Sequence, residues 1–450
     1  LLHKFIFDGV RIVLDVNSGA VHVMDELAWD LLDDCRRLPA GEVIEKFSDR
    51  YPADEVREAL SEISRLESAG LLFSPDPCQG GYAPPPGGVV KALCLHLAHA
   101  CNLRCRYCFA GQGRYRGDEA LMPLETGRAA IDFLIRASGG RRHLEIDFFG
   151  GEPLLNAAVL MDLVAYGRHR GSAAGKEIAF TVTTNGVLLS GEIAAFLNEN
   201  RISAVLSLDG RRPVHDTMRR TPGGSGSYDA VLPNIKRFVA SRNGDNYYVR
   251  GTFTRFNLDF AADVLHLADH GFAKLSVEPV VAFAGEPYAL RESDLPAVNA
   301  EYEKLAREIR RRRLQGRPVD FFHFRLDLDG GPCLHKRLSG CGAGSEYLAV
   351  APDGSLYPCH QFADKADYRL GTVFSGVEKE DLLDTFRRAN VYEKEGCPDC
   401  WAKFYCSGGC HANAVSANGS IARPYGLSCA MVKKRLECAL YLKALEHSGV

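Results

Sequence analysis

No stretch of this 450-residue sequence is apolar for the length of a membrane span, and its first residues lack the pattern of a secretory signal. Membrane association is therefore not expected, and a cytoplasmic location is. Neither sign of charge is in surplus: 54 Lys and Arg stand against 57 Asp and Glu, a formal net charge of −3. That balance argues against a nucleic-acid surface. The short basic run at 310–313 reads as a solvated helix end. Cysteine, by contrast, is abundant. Fifteen cysteines in a reducing compartment are hard to read as disulfides, and clusters of them more often bind metal. Cys35, Cys94 and Cys438 sit among apolar neighbours and read as core residues. Cys78 lies in a Pro- and Gly-rich stretch without an evident partner.

Three regions follow from the patterning. Residues 1–76 alternate as three short strands ("KFIFDG", "RIVLDV", "AVHVMD"), then show helical periodicity over 26–36, 40–50 and 54–68, with "LLF" at 71–73 as a further short strand. This is the layout of a small winged-helix-like module. A linker follows at 77–88. From 89 to 315 strands (93–97, 144–149, 178–184, 204–209, 247–254, 274–280) alternate with helices (124–137, 157–168, 191–200, 228–241, 258–270). Six successive βα units predict an α/β fold with a parallel sheet, wound as an open sheet or a partial (β/α)6 barrel, with chemistry at the C-terminal strand ends. Residues 316–450 break that rhythm. They hold nine of the cysteines and few long periodic segments, so their order is expected to rest on bound metal.

The loop after the first of these strands reads "HACNLRCRYCF", with Cys101, Cys105 and Cys108. Thiolates are soft ligands for zinc or iron–sulfur clusters, and three of them leave one position of a four-iron cluster open. Cys-X3-Cys-X2-Cys with an aromatic at Tyr107, at this place in a βα series, resembles the radical S-adenosylmethionine superfamily. The resemblance implies that the cosubstrate's amino and carboxylate groups fill the open iron, and that one electron then splits it into methionine and a 5′-deoxyadenosyl radical. It extends to "DFFGGEPLLN", where Gly150, Gly151 and Glu152 match the motif that meets the methionine amino group. It continues to Thr184 and Asn185 in "TVTTNG", and to Ser207 and Asp209 in "LSLDG", segments that reach the ribose and carboxylate. Arg219 could pair with that carboxylate as a fork.

In the tail, Cys341 and Cys359 flank a hairpin turning at Asp353-Gly354, followed by Cys397-X2-Cys400-X5-Cys406-X3-Cys410 and Cys429. A zinc ribbon is one reading of such pairs. The full spacing is similar to the SPASM domain, which implies two auxiliary [4Fe-4S] clusters and three in all. By that resemblance Cys397, Cys400, Cys406 and Cys429 hold the outer cluster. Cys341, Cys359 and Cys410 hold the inner one, which is either closed by Cys333 or left open to a substrate thiolate.

The first 76 residues resemble the RiPP recognition element of the PqqD type, implying a leader peptide added to the module's sheet as one more strand. Their acidic helices argue against a DNA-binding winged helix. Within this group "LHLAHACNLRCRYCFAGQG" and "GCGAGSEYLAVAPDGSLYPCHQF" are most similar to the SCIFF peptide maturases of the sactipeptide and ranthipeptide type. The expected reaction is a thioether from a cysteine sulfur to the α-carbon of a threonine in a cysteine-rich precursor peptide, with ferredoxin or flavodoxin as electron donor. Alternatives are epimerisation or carbon–carbon cross-linking by the same radical and, outside enzymes, a zinc-binding peptide scaffold.

Overall fold

The alternation in "LCLHLAH", "LEIDFF" and "LSVEP" sends leucine, isoleucine, valine and phenylalanine to one face of each strand and mostly polar groups to the other. The structure, a computed structural model, builds on that alternation; it describes residues 1–78, 80–84, 88–282, 285–328 and 333–448, with the side chains of the last two left aside. Part of the expected linker, residues 79 and 85–87, lies outside the described residues.

Strands β1 (Leu2–Phe7), β2 (Val10–Asp15) and β3 (Val21–Met24) form a three-stranded antiparallel sheet in the order β1-β2-β3, followed by helices Glu26–Leu31, Ala40–Phe47 and Ala53–Ser68. Residues 71–73 are a bend and not the short strand expected of "LLF". Both faces of this sheet are covered. Val13 packs on the module's own helices with Leu31, Val43, Val56 and Ile63. The opposite face carries Phe7, Ile12, Leu14 and Val16 into the rest of the chain, where Leu14 and Val16 meet Leu338 and Leu440. Phe7 stacks on Tyr441 at 4.1 Å and His3 on Trp401 at 3.6 Å.

The expected parallel series is present as β4 (Ala92–His99), with a short antiparallel partner β5 (Ala120–Leu121), then β6 (His143–Gly150), β7 (Glu177–Thr184), β8 (Ser203–Ser207), β9 (Tyr247–Phe253) and β10 (Lys274–Pro279). Two more parallel strands extend it, β11 (Asp320–Phe321) beyond β10 and β12 (Tyr347–Val350) beyond β4. β12 runs through a hairpin into β13 (Ser355–Tyr357), then β14 (Gly371–Thr372) and β15 (Gly376–Val377). The order is β11-β10-β9-β8-β7-β6-β4-β12-β13-β14-β15, and the sheet does not close. Leu93, Leu95, Ile146, Phe148, Val182, Leu206, Val249 and Val277 face the helices, among them Leu124–Ala137, Ala157–Ala173 and Phe260–Asp269. The other, concave face holds Cys94, His96, Asp147, Thr183, Arg250 and Glu278.

The tail departs from expectation in two ways. Through β12 it shares the barrel's sheet. It also ends in a 23-residue helix, Gly426–Ser448, that packs along helix Leu295–Leu314. "AMVKKRLECALYLKALEH" carries apolar residues around most of that helix because one side meets the barrel and another meets the first module. No described helix is long and apolar enough to cross a membrane.

Leu14 is fully buried between module and body. Leu14→Ala is expected to cost about 2–5 kcal/mol of unfolding free energy in urea titration. Limited proteolysis should then cut faster within 77–88 as the module loosens from the body.

Candidate active site

β4 ends at His99, and the chain turns directly into the three-cysteine loop. The loop is seated by backbone bonds from Arg104 N–H to the Arg220 carbonyl (2.7 Å) and from Arg106 N–H to the Met218 carbonyl (2.8 Å). From the neighbouring strand end, Gly151 N–H donates to the Ala98 carbonyl (2.7 Å) and Glu152 N–H to the Ala100 carbonyl (2.9 Å). The paired glycines are what let these backbones meet. Gly150 has φ +128°, and a Cβ there would lie 2.3 Å from the Ala98 oxygen. One on Gly151 would lie 2.1 Å from the Ala100 oxygen. The close approach expected of this pair is thus made, in this structure, to the cysteine loop.

Glu152 is fully buried. Its Oε1 accepts from the Thr184 hydroxyl (2.7 Å) and Leu154 N–H (3.1 Å), and its Oε2 from Asn185 N–H (2.8 Å). Burial raises its pKa to about 7, with these hydrogen bonds holding it down. Asn185 continues the chain of contacts, its Nδ2 donating to Asn102 Oδ1 at 2.7 Å and reaching Cys101 Sγ at 3.7 Å. The Cys101 sulfur also accepts from Leu103 N–H at 3.4 Å. The ends of β6 and β7 are therefore tied to the loop that follows β4 through Glu152, Thr184 and Asn185. Asn102 was not foreseen, because an asparagine after a cysteine has no pattern that distinguishes it.

A second knot lies across the loop. Asp209, fully buried, accepts from the Tyr107 hydroxyl (2.6 Å), Arg219 Nε (3.0 Å) and Thr252 N–H (3.1 Å). The Arg219 guanidinium also lies 5.5 Å from the Tyr107 ring centroid and faces Cys105. Arg219 is thus already paired through Nε, so a fork to a ligand carboxylate would use its terminal nitrogens. Ser207 ends β8 on the concave face, with no side-chain hydrogen bond among the described residues.

Burial, followed by the charges of Glu152 and the two companion thiols, pushes the Cys101 thiol up to about 12. Burial pushes Cys105 to about 11, with Arg219 pulling it back. Two thiols that burial keeps protonated, with Cys108 within electrostatic reach of both, suit a strongly cationic metal centre bound by all three. The donor set fits a cluster with three protein ligands.

The tail cysteines sort into two groups. Cys397, Cys400, Cys406 and Cys429 line one cavity of about 410 Å³. Burial and the other three thiols raise Cys397 to about 11, against the pull of Lys394. Cys359 faces Cys410 and Cys341, and burial with their charge keeps its thiol protonated. Between the groups, Ser407, Gly408 and Gly409 all take positive φ, so the chain reverses between Cys406 and Cys410 and sends them to different sites. A zinc ion with bonds of about 2.3 Å needs its thiols converging on one point. Among the described residues no three His, Cys, Asp or Glu side chains do so. Cys333 caps helix Leu334–Ser339, is exposed, and faces Tyr82, as does Cys78.

The concave face between these sites is polar. Glu278 is held by Arg435 (3.4 Å) and His323 (3.5 Å), with Arg250 at 3.9 Å, and Asp147 accepts from Thr183 (3.4 Å). The signal was present as polar residues at alternate positions of strands read only as strands. Tyr115 faces both Cys108 and Cys359. The Phe109 and His360 rings, each next to one of those cysteines, are 5.5 Å apart.

Residues 95–259 match the family profile described as Radical SAM superfamily. The serine-type anaerobic sulfatase-maturating enzyme of Klebsiella aerogenes is 26% identical over 345 residues, 72% of this chain and 80% of that protein. Among solved structures, anSMEcpe with bound AdoMet and the Kp18Cys peptide superposes with a TM-score of 0.65 at 21% identity, covering 80% of this chain and 99% of that one. Streptococcus suis SuiB bound to precursor peptide SuiA superposes with a TM-score of 0.52 at 15% identity, covering 94% and 97%. The profile begins at Leu95, inside the strand that delivers the three thiols, and runs past the ends of β6, β7 and β8 that close around them: the stretch that builds this site matches the radical SAM superfamily.

Proposed function

We propose that this enzyme joins a cysteine sulfur to the α-carbon of a residue, most simply threonine, in a ribosomally made cysteine-rich peptide. Cys101, Cys105 and Cys108 would hold the [4Fe-4S] cluster and its S-adenosylmethionine, and that pair supplies, when bound and reduced, a 5′-deoxyadenosyl radical that removes the hydrogen. Gly150, Gly151, Glu152, Thr184, Asn185, Ser207, Asp209, Tyr107 and Arg219 would shape the cosubstrate's place. Glu152 and Asp209 would do so chiefly by holding the loop and Arg219 in position, because their oxygens are already engaged.

The observation that carries the reading is the shared neighbourhood of Cys108 and Cys359 around Tyr115, Phe109 and His360 at the mouth of a polar concave sheet. A peptide thiolate held at the inner group, Cys341, Cys359 and Cys410, would lie beside the carbon attacked from the first loop. We take that inner site as open, with Cys333 outside it. The outer group, Cys397, Cys400, Cys406 and Cys429, would hold a cluster with four protein ligands and take up the surplus electron, while a donor of the ferredoxin or flavodoxin kind would reduce the cluster on the first loop. The polar groups Asp147, Arg250 and Glu278 would position the peptide backbone and exclude bulk water.

The first module is read as the leader-binding element. Coverage supports this: the likeness to anSMEcpe spans 80% of the chain and that to SuiB, whose structure holds a precursor peptide, 94%. β1 and β3 each pair on one side only, so either edge could accept a leader strand.

Replacing Cys101, Cys105 and Cys108 with Ala should abolish 5′-deoxyadenosine formation, read by chromatography, while the tail keeps its iron. Undiminished formation would remove these residues from the radical site. Mass spectrometry of the cognate cysteine-rich peptide, after anaerobic turnover and thiol alkylation, should find two hydrogens lost and one cysteine no longer alkylated. An unchanged mass with deuterium taken up from heavy water would instead mean epimerisation.

A further inference from the structure

Lys394 is one of the largest fully buried side chains in the molecule, with 1% of its surface exposed. Its ammonium donates to one group, the Gly408 carbonyl at 2.8 Å. The thiols whose charge acts on it most are Cys397 and Cys406 of the outer set and Cys341 and Cys410 of the inner set, and among the described residues it forms no salt bridge to a carboxylate. Gly408 lies in the left-handed stretch that separates Cys406 from Cys410. A Cβ there would come 2.8 Å from Lys394 Cδ, so the lysine is pressed against the crossover between the two sets. On the inner side, the buried His411 beside Cys410 leaves Nδ1 without a partner.

An ammonium out of water with a single carbonyl for company is strongly unfavourable unless a compensating negative charge is present. Neutral thiols do not provide one. Two thiolate-ligated clusters do, since their net charge is negative and spreads over sulfur atoms that accept hydrogen bonds. We propose that Lys394 is the counter-cation shared by the two auxiliary clusters, holding them at the crossover and favouring their reduced, more negative forms. This rests on the auxiliary-cluster reading above. The consequence is functional: a cation within reach of both clusters makes each a better electron acceptor, which suits sites that take an electron from a substrate radical.

The test uses the full chain carrying the triple Cys→Ala change at 101, 105 and 108, so that the tail alone holds iron. Lys394, Lys394→Met and Lys394→Arg forms are compared after anaerobic loading with iron and sulfide, and again free of metal. Redox titration followed by electron paramagnetic resonance should place Lys394→Met at least tenfold toward the oxidised form at a given potential, 59 mV for one electron, with Lys394→Arg near the parent. Thermal melting should reverse sign: Lys394→Met raises the Tm of the metal-free chain, where the charge is uncompensated, and lowers that of the loaded chain.

If Lys394→Met takes up no iron while Lys394→Arg does, the metal-free melt decides, a rise supporting the proposal and a fall refuting it. Unchanged potentials, or equal loss of Tm in both states, would reduce Lys394 to a clamp on the Gly408 carbonyl and overturn the proposal. A parent chain that binds no iron in its tail would overturn the two-cluster reading itself.

Discussion

The carboxylate of Glu152 is the point on which the rest of the site depends. It stands, without solvent, where three strand ends meet. Its oxygens accept from a backbone N–H of its own turn and from the hydroxyl and backbone N–H of successive residues at the end of β7. Because a buried carboxylate is tolerable only when its lone pairs are used, this geometry is self-enforcing: displace β7 or the turn and an unpaired acceptor is left in the core. The two glycines before it bring the same turn within backbone hydrogen-bond distance of Ala98 and Ala100, and so fix the first thiol of the loop. Asp209 does the equivalent work on the far side, drawing Tyr107 and Arg219 together. Both acids act on the loop by position, and neither needs to touch the reacting atoms.

From that fixed loop the architecture runs outward through shared elements. The cysteine-rich tail is joined to the barrel by β12, which pairs with β4, the strand that delivers the three thiols. Tail and radical site are thus registered by backbone hydrogen bonds, which explains how Cys359 and Cys108 come to share neighbours. The first module is coupled by side-chain packing instead, through a separate sheet that is apolar on both faces. One of the protein's two tryptophans, Trp401, stands next to Cys400 and stacks on His3 of β1. The other, Trp29, lies under the Lys4 ammonium at 4.6 Å. The edge strand of the first sheet is therefore one residue layer from Cys400.

Much of this was legible in the amino-acid sequence because local rules govern it. Period-two and helical alternation announced the six-strand parallel series and the first three strands. Asp-Gly and paired Gly marked turns and close approaches, and cysteine spacing separated three thiols near the front from the grouped thiols of the tail. Those signals depend on neighbours along the chain, so they survive without a fold. The last helix was missed because its faces meet two different bodies, which spreads apolar residues around it and blurs the period. The strand expected at 71–73 was an apolar run with no free edge assigned to it, and it became a bend.

What only the tertiary structure decided is every relation between residues far apart. The spacing of the tail cysteines allowed many pairings. The left-handed turn at 407–409 and the cavity behind it made Cys406 and Cys410 belong to different groups. The strands' polar positions were visible, but only winding the sheet put Asp147, Arg250 and Glu278 on one concave face with His323 and Arg435. Lys394 could not have been singled out from "EKEGC", since an exposed and a buried lysine are written alike. Sequence determined which groups this protein owns and the local path of the chain. Desolvation, which exists only once distant segments have excluded water together, determined what those groups must do for one another.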